Sequence, residues 1–145
     1  GPFLGERAEH EYPLGSFVKA GAVIAGASDY PVTDPPCPLW AIEAGVTRNL
    51  NCAEFYEVDD ITDRDDPTYL LAAEERVSLE EMIKCYTSNG AYAMFVEDMT
   101  GSIEAGKYAD FVVLGENLFD IDPIEIDSVP IEKTIFHGTI VYENE

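Results

Sequence analysis

The chain has 145 residues, enough for one ordinary domain with a real core but short of the about 250 that a complete eight-stranded α/β barrel needs. Apolar residues make up 46% of it, which predicts a folded protein. A formal net charge of −21, from 29 acidic against 8 basic side chains, repels phosphate backbones and anionic lipid, so no nucleic-acid or membrane-surface partner is expected.

The acids cluster over Glu54 to Asp66 and Glu116 to Asp127, which reads first as a solvated surface. The Asp59-Asp60-x-x-Asp63-x-Asp65-Asp66 run lacks the glycine and terminal glutamate of an EF-hand loop, so it predicts no calcium site. Cys37, Cys52 and Cys85 are odd in number and form no C-x-x-C pair. Reduced thiols in a cytoplasmic protein are therefore expected. No run reaches the ~18 apolar residues of a membrane span, and no basic region precedes an apolar core at the N-terminus.

In chain order, Gly1 to His10 is polar and weakly patterned. Tyr12 to Ser16 reads as a turn, with Ser16 as the cap of a short helix that Gly21 stops. The apolar run Ala22 to Ala25 then leads through small residues into Ser28-Asp29, the pattern of a buried parallel strand with a carboxylate at its C-terminal end. Buried there, Asp29 has to be hydrogen-bonded, paired or metal-bound to offset its desolvation. The pattern admits two readings, a structural carboxylate capping the next loop or a functional one.

Thr33 to Pro38 contains Pro35, Pro36 and Pro38, which forbid regular structure. A stiff loop of this kind either lines a site or simply connects two elements. Leu39 to Thr47 is helical, with Leu39, Ile42 and Val46 on one face and Trp40 beside them as a core residue. Asn49 to Tyr69 is an irregular acidic excursion. Ser78 and Glu81 form an S-x-x-E capping box, and the helix they open is predicted to run to about Phe95.

From Met99 the pattern changes, placing a layer boundary near Asp98. Gly101 to Lys107 is rich in turns, Ala109 to Leu114 is a β run, and Asn117 to Ile126 is a loop or short helix. Ile131 to Phe136 and Thr139 to Tyr142 flank a His137-Gly138 hairpin turn. His10 and His137 have no second His or Cys at ligand spacing, and no serine sits in a G-x-S-x-G context.

Three stretches together resemble the C-terminal third of a metal-dependent amidohydrolase of family 3, in the N-substituted-formamide deformylase-like branch. They are Tyr12 to Val32 with Val46-Thr47-Arg48, then Ser78 to Ala93, then Gly101-Ser102-Ile103-Glu104-Ala105-Gly106-Lys107-Tyr108-Ala109-Asp110-Phe111-Val112-Val113-Leu114 ahead of Thr134 to Tyr142. The resemblance implies an α/β fold in which residues 1–97 are the end of a (β/α)₈ barrel and residues 98–145 are strands of a β-sandwich built from both chain ends. It also implies that Asp29 matches the aspartate that ends the eighth strand, where it binds a divalent metal, zinc by expectation, and accepts a proton from the metal-bound water. The resemblance implies that such a metal would lower its water's pKa to about 7 and so supply a nucleophile for an amide-type carbonyl. Asp110 becomes a structural turn residue.

The sequence departs from the pattern in lacking the H-x-H pair and the later histidine ligands. Ala27 also stands where glycine is frequent, and His137 where aspartate is. The resemblance therefore implies a hydrolase of small amide-type substrates as the parent, and a fragment that is inactive, binds metal weakly or not at all, and self-associates through uncovered core faces. The rival expectation is an independent non-catalytic interaction module.

Overall fold

A computed structural model describes residues 5–32 and 35–144. Thr33 and Asp34 of the proline-rich loop, and Gly1 to Leu4 of the polar lead-in, lie outside the described residues. Among those described, short helices precede a three-stranded sheet. A 3₁₀ turn spans Gly5–His10, followed by α1 (Leu14–Lys19), α2 (Pro38–Thr47), α3 (Ala53–Tyr56), α4 (Leu79–Tyr86) and α5 (Ser88–Ala93). The sheet contains β1 (Phe111–Leu114), β2 (Ile131–Phe136) and β3 (Thr139–Glu143), with further 3₁₀ turns at Ala73–Glu75 and Pro123–Ser128. No described helix is long and apolar enough to cross a membrane.

Local chemistry accounts for most of these elements. Pro38 opens α2 at a position where a helix needs no backbone donor. Ser78 caps α4 by accepting the Glu81 N–H at 3.2 Å. Helix α4 stops at Tyr86, well short of Phe95. At Thr87 the backbone leaves the helix (φ −128°, ψ −98°), and its hydroxyl donates to the Ile83 carbonyl at 2.8 Å. Such a back-bond offers the chain an alternative to helical bonding, and a separate helix, α5, follows.

Helix α1 also differs from its expected form. It starts at Leu14 after Pro13, and Ser16 caps nothing. Instead the Ser16 amide and hydroxyl both donate to the Glu75 carboxylate at 2.6 Å, tying α1 to the distant 3₁₀ turn.

The sheet is an antiparallel meander, with β1 paired to β2 and β2 to β3. His137 (φ 49°) and Gly138 (φ 77°) make the connection, the two positive dihedrals of a type I′ turn, whose twist suits paired strands. Asp110 fixes the turn, accepting the His137 N–H at 2.8 Å and the Thr100 hydroxyl at 2.9 Å. No second sheet packs on this one among the described residues, and all of β3 is exposed.

The core is built on α2 and α4. Leu39, Ile42 and Val46 meet Val77, Met82 and Cys85, and Leu118, Ile126 and Val129 close the cluster. Ile126 is fully buried, on the 3₁₀ turn that packs against α2. The hydrophobic cluster thus draws residues from both sides of Asp98.

Candidate active-site segment

Residues 22–28 run without joining a sheet. An apolar sequence forms a buried strand only when neighbouring strands take its backbone groups and cover its faces. Here Ala22, Val23, Ala25 and Ala27 are exposed, and only Ile24 packs against the core. The expected buried parallel strand is therefore an extended, largely exposed segment.

Asp29 ends this segment and is itself exposed, in the left-handed region at φ 57°. Its carbonyl accepts the Val32 N–H at 2.8 Å across a turn containing the cis Tyr30-Pro31 peptide. The Ser28 hydroxyl accepts the Tyr30 N–H at 3.3 Å. An exposed carboxylate keeps its hydration, so the desolvation that would demand a partner for Asp29 does not arise in this chain.

Beside the segment lies a cleft of about 450 Å³ between α1, residues 24–27, α2 and α4. Its walls are mostly apolar (Leu14, Phe17, Ile24, Ala41, Met82), with Arg48 and Tyr86 among the lining residues, and Asp29 is not one of them. The Arg48 guanidinium is already engaged. Nε donates to the Leu71 carbonyl at 3.2 Å and Nη2 to the Glu11 carbonyl at 3.0 Å.

The strongest electrostatic perturbation lies elsewhere, at a residue that sequence reading passed over. Glu43 on α2 is 1% exposed, and its Oε2 accepts the Asp127 N–H at 2.8 Å. Burial pushes its pKa up to about 8. The Asp127 N–H works against that rise, while the Asp127 and Asp60 carboxylates add to it. Asp127 in turn accepts the Cys52 N–H at 2.5 Å. Burial, with Asp127 and Glu43 nearby, raises the Cys52 thiol to about 11, which leaves it protonated and a poor nucleophile. A signal for Glu43 was present in the sequence. It stands four residues after Leu39 and three before Val46, on the apolar face of its helix.

The other candidates are accounted for structurally. His137 stacks between Tyr108 and Phe136, with ring centroids 4.0 and 4.2 Å away. His10 is exposed in the first 3₁₀ turn. Trp40 is half-buried against Phe55 at 5.5 Å. Among the described residues no group of three or more His, Cys, Asp or Glu side chains is placed to hold a metal ion. Asp29 could serve as one oxygen ligand, but a divalent ion needs several, so these residues by themselves do not fit a metal centre.

Comparison with known proteins gives the segment its context. The profile of the amidohydrolase family matches residues 3–142. The chain is similar to the putative amidohydrolase YtcJ of Bacillus subtilis (strain 168), at 31% identity over 138 residues covering 95% of this chain and 24% of that protein. It is also similar to the N-substituted formamide deformylase of Arthrobacter pascens, at 29% identity over 143 residues, 96% of this chain and 23% of that protein. A crystal structure of an amidohydrolase from Thermotoga maritima MSB8 superposes with a TM-score of 0.61 at 23% identity, over 90% of this chain and 26% of that one. That likeness concerns the fold. The chain spans about a quarter of the length of these curated relatives.

Proposed function

Because the chain belongs to the amidohydrolase family, we propose that it is the C-terminal portion of a metal-dependent hydrolase of non-peptide C–N bonds, and that Asp29 is its contribution to the chemistry. The observation that carries this reading is the family match across residues 3–142, with Asp29 standing at the end of the extended segment it includes. Members of this family are typically metal-dependent. In this reading residues 1–97 complete a barrel and residues 98–145 supply sandwich strands. The remaining metal ligands come from polypeptide outside this chain, and the chain alone is inactive.

The substrate class is a small amide, and the deformylase relative makes an N-substituted formamide the first probe. The test compares the full-length polypeptide carrying this chain, its Asp29→Ala variant and the isolated 145-residue chain. The expected result is hydrolysis by the full-length protein, a loss of at least about 100-fold in the variant, and none by the isolated chain. Full activity in Asp29→Ala would remove Asp29 from the mechanism. Turnover by the isolated chain would overturn the claim that it is inactive.

A second reading, association between copies of the isolated chain, is favoured by exposed apolar side chains. Val23 is 63% exposed, Val141 59% and Ile140 50%, the last two on β3, whose outer edge pairs with no strand among the described residues. Sedimentation at moderate salt, where the −21 charge is screened, is expected to show dimers or larger species. A monomer throughout the micromolar range sinks this reading.

A further inference from the structure

We propose that Asn89 is a positioning residue for Asp29, acting through the backbone of the segment that carries it; the inference rests on the reading of Asp29 as the reactive carboxylate. Residues 22–28 have no strand neighbour, and at the half-buried Ile24 and Gly26 the peptide groups find other partners. Those partners come from the α4–α5 corner. Asn89 Nδ2 on α5 donates to the Ile24 carbonyl at 2.9 Å, and the Gly26 N–H donates to the Cys85 carbonyl at 2.9 Å, near the end of α4.

In an extended chain, residues two apart turn their peptide groups to the same edge, so both bonds grip one edge of the segment. Packing holds the segment as well. A Cβ on Gly26 would lie 2.5 Å from ring carbons of Tyr86, so only glycine lets the backbone rest on that ring. The side chains of Ile24 and Tyr86 both pack against the core. Asp29 follows Gly26 by three residues, roughly 10 Å of extended chain, so an error in the grip displaces the carboxylate directly.

The break at Thr87 acquires a purpose in this arrangement. A helix running unbroken to Phe95 would present its residues on a single axis, whereas the turn at Thr87 starts a new one that brings Asn89 to Ile24. Asparagine suits the task because its amide nitrogen donates to a carbonyl, whereas aspartate would set an oxygen against one.

The test uses Asn89→Ala, Asn89→Asp and Gly26→Ala in the full-length polypeptide, with an N-substituted formamide as substrate. Thermal unfolding confirms that each variant folds, and amide hydrogen exchange at residue 26 is read in parallel. The expected result is faster exchange at residue 26 in both Asn89 variants. In all three, kcat should fall by about 100-fold while KM moves by less than about threefold, as for a misplaced reactive group. Gly26→Ala disturbs the same grip through the Tyr86 contact and keeps the idea falsifiable should the Asn89 variants not fold. Unchanged exchange at residue 26 in Asn89→Ala overturns the proposal, and so does faster exchange with an unchanged kcat. If Asp29→Asn is inactive while the Asn89 variants keep full kcat, the positioning role fails alone; if Asp29→Asn is fully active, the reading of Asp29 fails and takes the proposal with it.

Discussion

The Glu43 carboxylate and the Asp127 backbone amide meet at 2.8 Å in the core and join helix α2 to the 3₁₀ turn that leads into β2. Burial disfavours the ionised form of Glu43, and the nearby Asp127 and Asp60 carboxylates disfavour it further. Its neutral form is therefore the one that fits the site.

This contact makes stability depend on pH. The folded pKa of Glu43, about 8, lies above its ordinary 4.5, so between those values the folded state holds a proton that the unfolded state has released. The contribution is fully present below pH 4.5 and is lost as pH rises through 8. The loss should be on the order of a few kcal/mol. Urea midpoints taken at intervals from pH 5 to pH 9 should decline across the series, and Glu43→Gln, which keeps an acceptor for Asp127, should flatten the decline. An unchanged slope in Glu43→Gln would assign the pH dependence to other groups.

Glu75 works in the opposite sense. Its two bonds from Ser16 hold its carboxyl below the ordinary range. The stability from this pair is present above pH 4.5 and lost as pH falls through the depressed folded pKa. Ser16→Ala is expected to lower the urea midpoint at pH 6 and to weaken the acid-side loss. If the midpoints match wild type at pH 6 and pH 3, the pair contributes nothing.

Arg76 holds the acidic excursion to the body of the protein. Nε donates to the Thr47 carbonyl at 2.7 Å, Nη1 pairs with Asp65 at 2.6 Å, and Nη2 donates to the Arg64 carbonyl at 2.7 Å. Asn49 Nδ2 reaches the Arg64 and Asp66 carbonyls at 3.1 and 2.8 Å. Arg76→Ala should speed protease cleavage and amide exchange within residues 49–72, and Arg76→Lys should not rescue it, because an ammonium cannot make the three-way fork. Full protection in Arg76→Lys would show that charge alone suffices.

At the hairpin, Gly138 sits at φ 77°. A β-branched residue there is strained, so Gly138→Val is expected to cost about 1–2 kcal/mol in unfolding experiments. A variant as stable as wild type would mean that the turn rearranges freely.

Elements decided by nearest neighbours could be read directly. The Ser78 cap of α4 and the His137-Gly138 turn depend on bonds within a few residues and formed where expected. The β run ending at Leu114 formed as well, whereas α2 opens one residue early, at Pro38, which the sequence pattern assigns to the loop. Asp110 as a turn residue followed from the family resemblance, since its bond to the His137 N–H spans 27 residues. The family was legible from motifs spread along the chain, and Asp29 was picked out by its place within one of them.

What the sequence could not decide were relations between distant segments. Nothing local says that the Ser16 hydroxyl prefers Glu75, 59 residues away, to its own helix end. The apolar run Ala22 to Ala25 has a strand's composition, but a strand exists only through its partners. Without them the segment is extended and exposed, held at one edge by Asn89 and Cys85. The environment of Glu43 likewise arises only when Ile126 and Asp127 fold over α2. Sequence alone determined the family, the Ser78 cap and the hairpin turn, and it singled out the candidate carboxylate. Tertiary structure decided which backbone groups are partnered and which acids are dry, because burial and long-range hydrogen bonds depend on what the rest of the chain brings alongside.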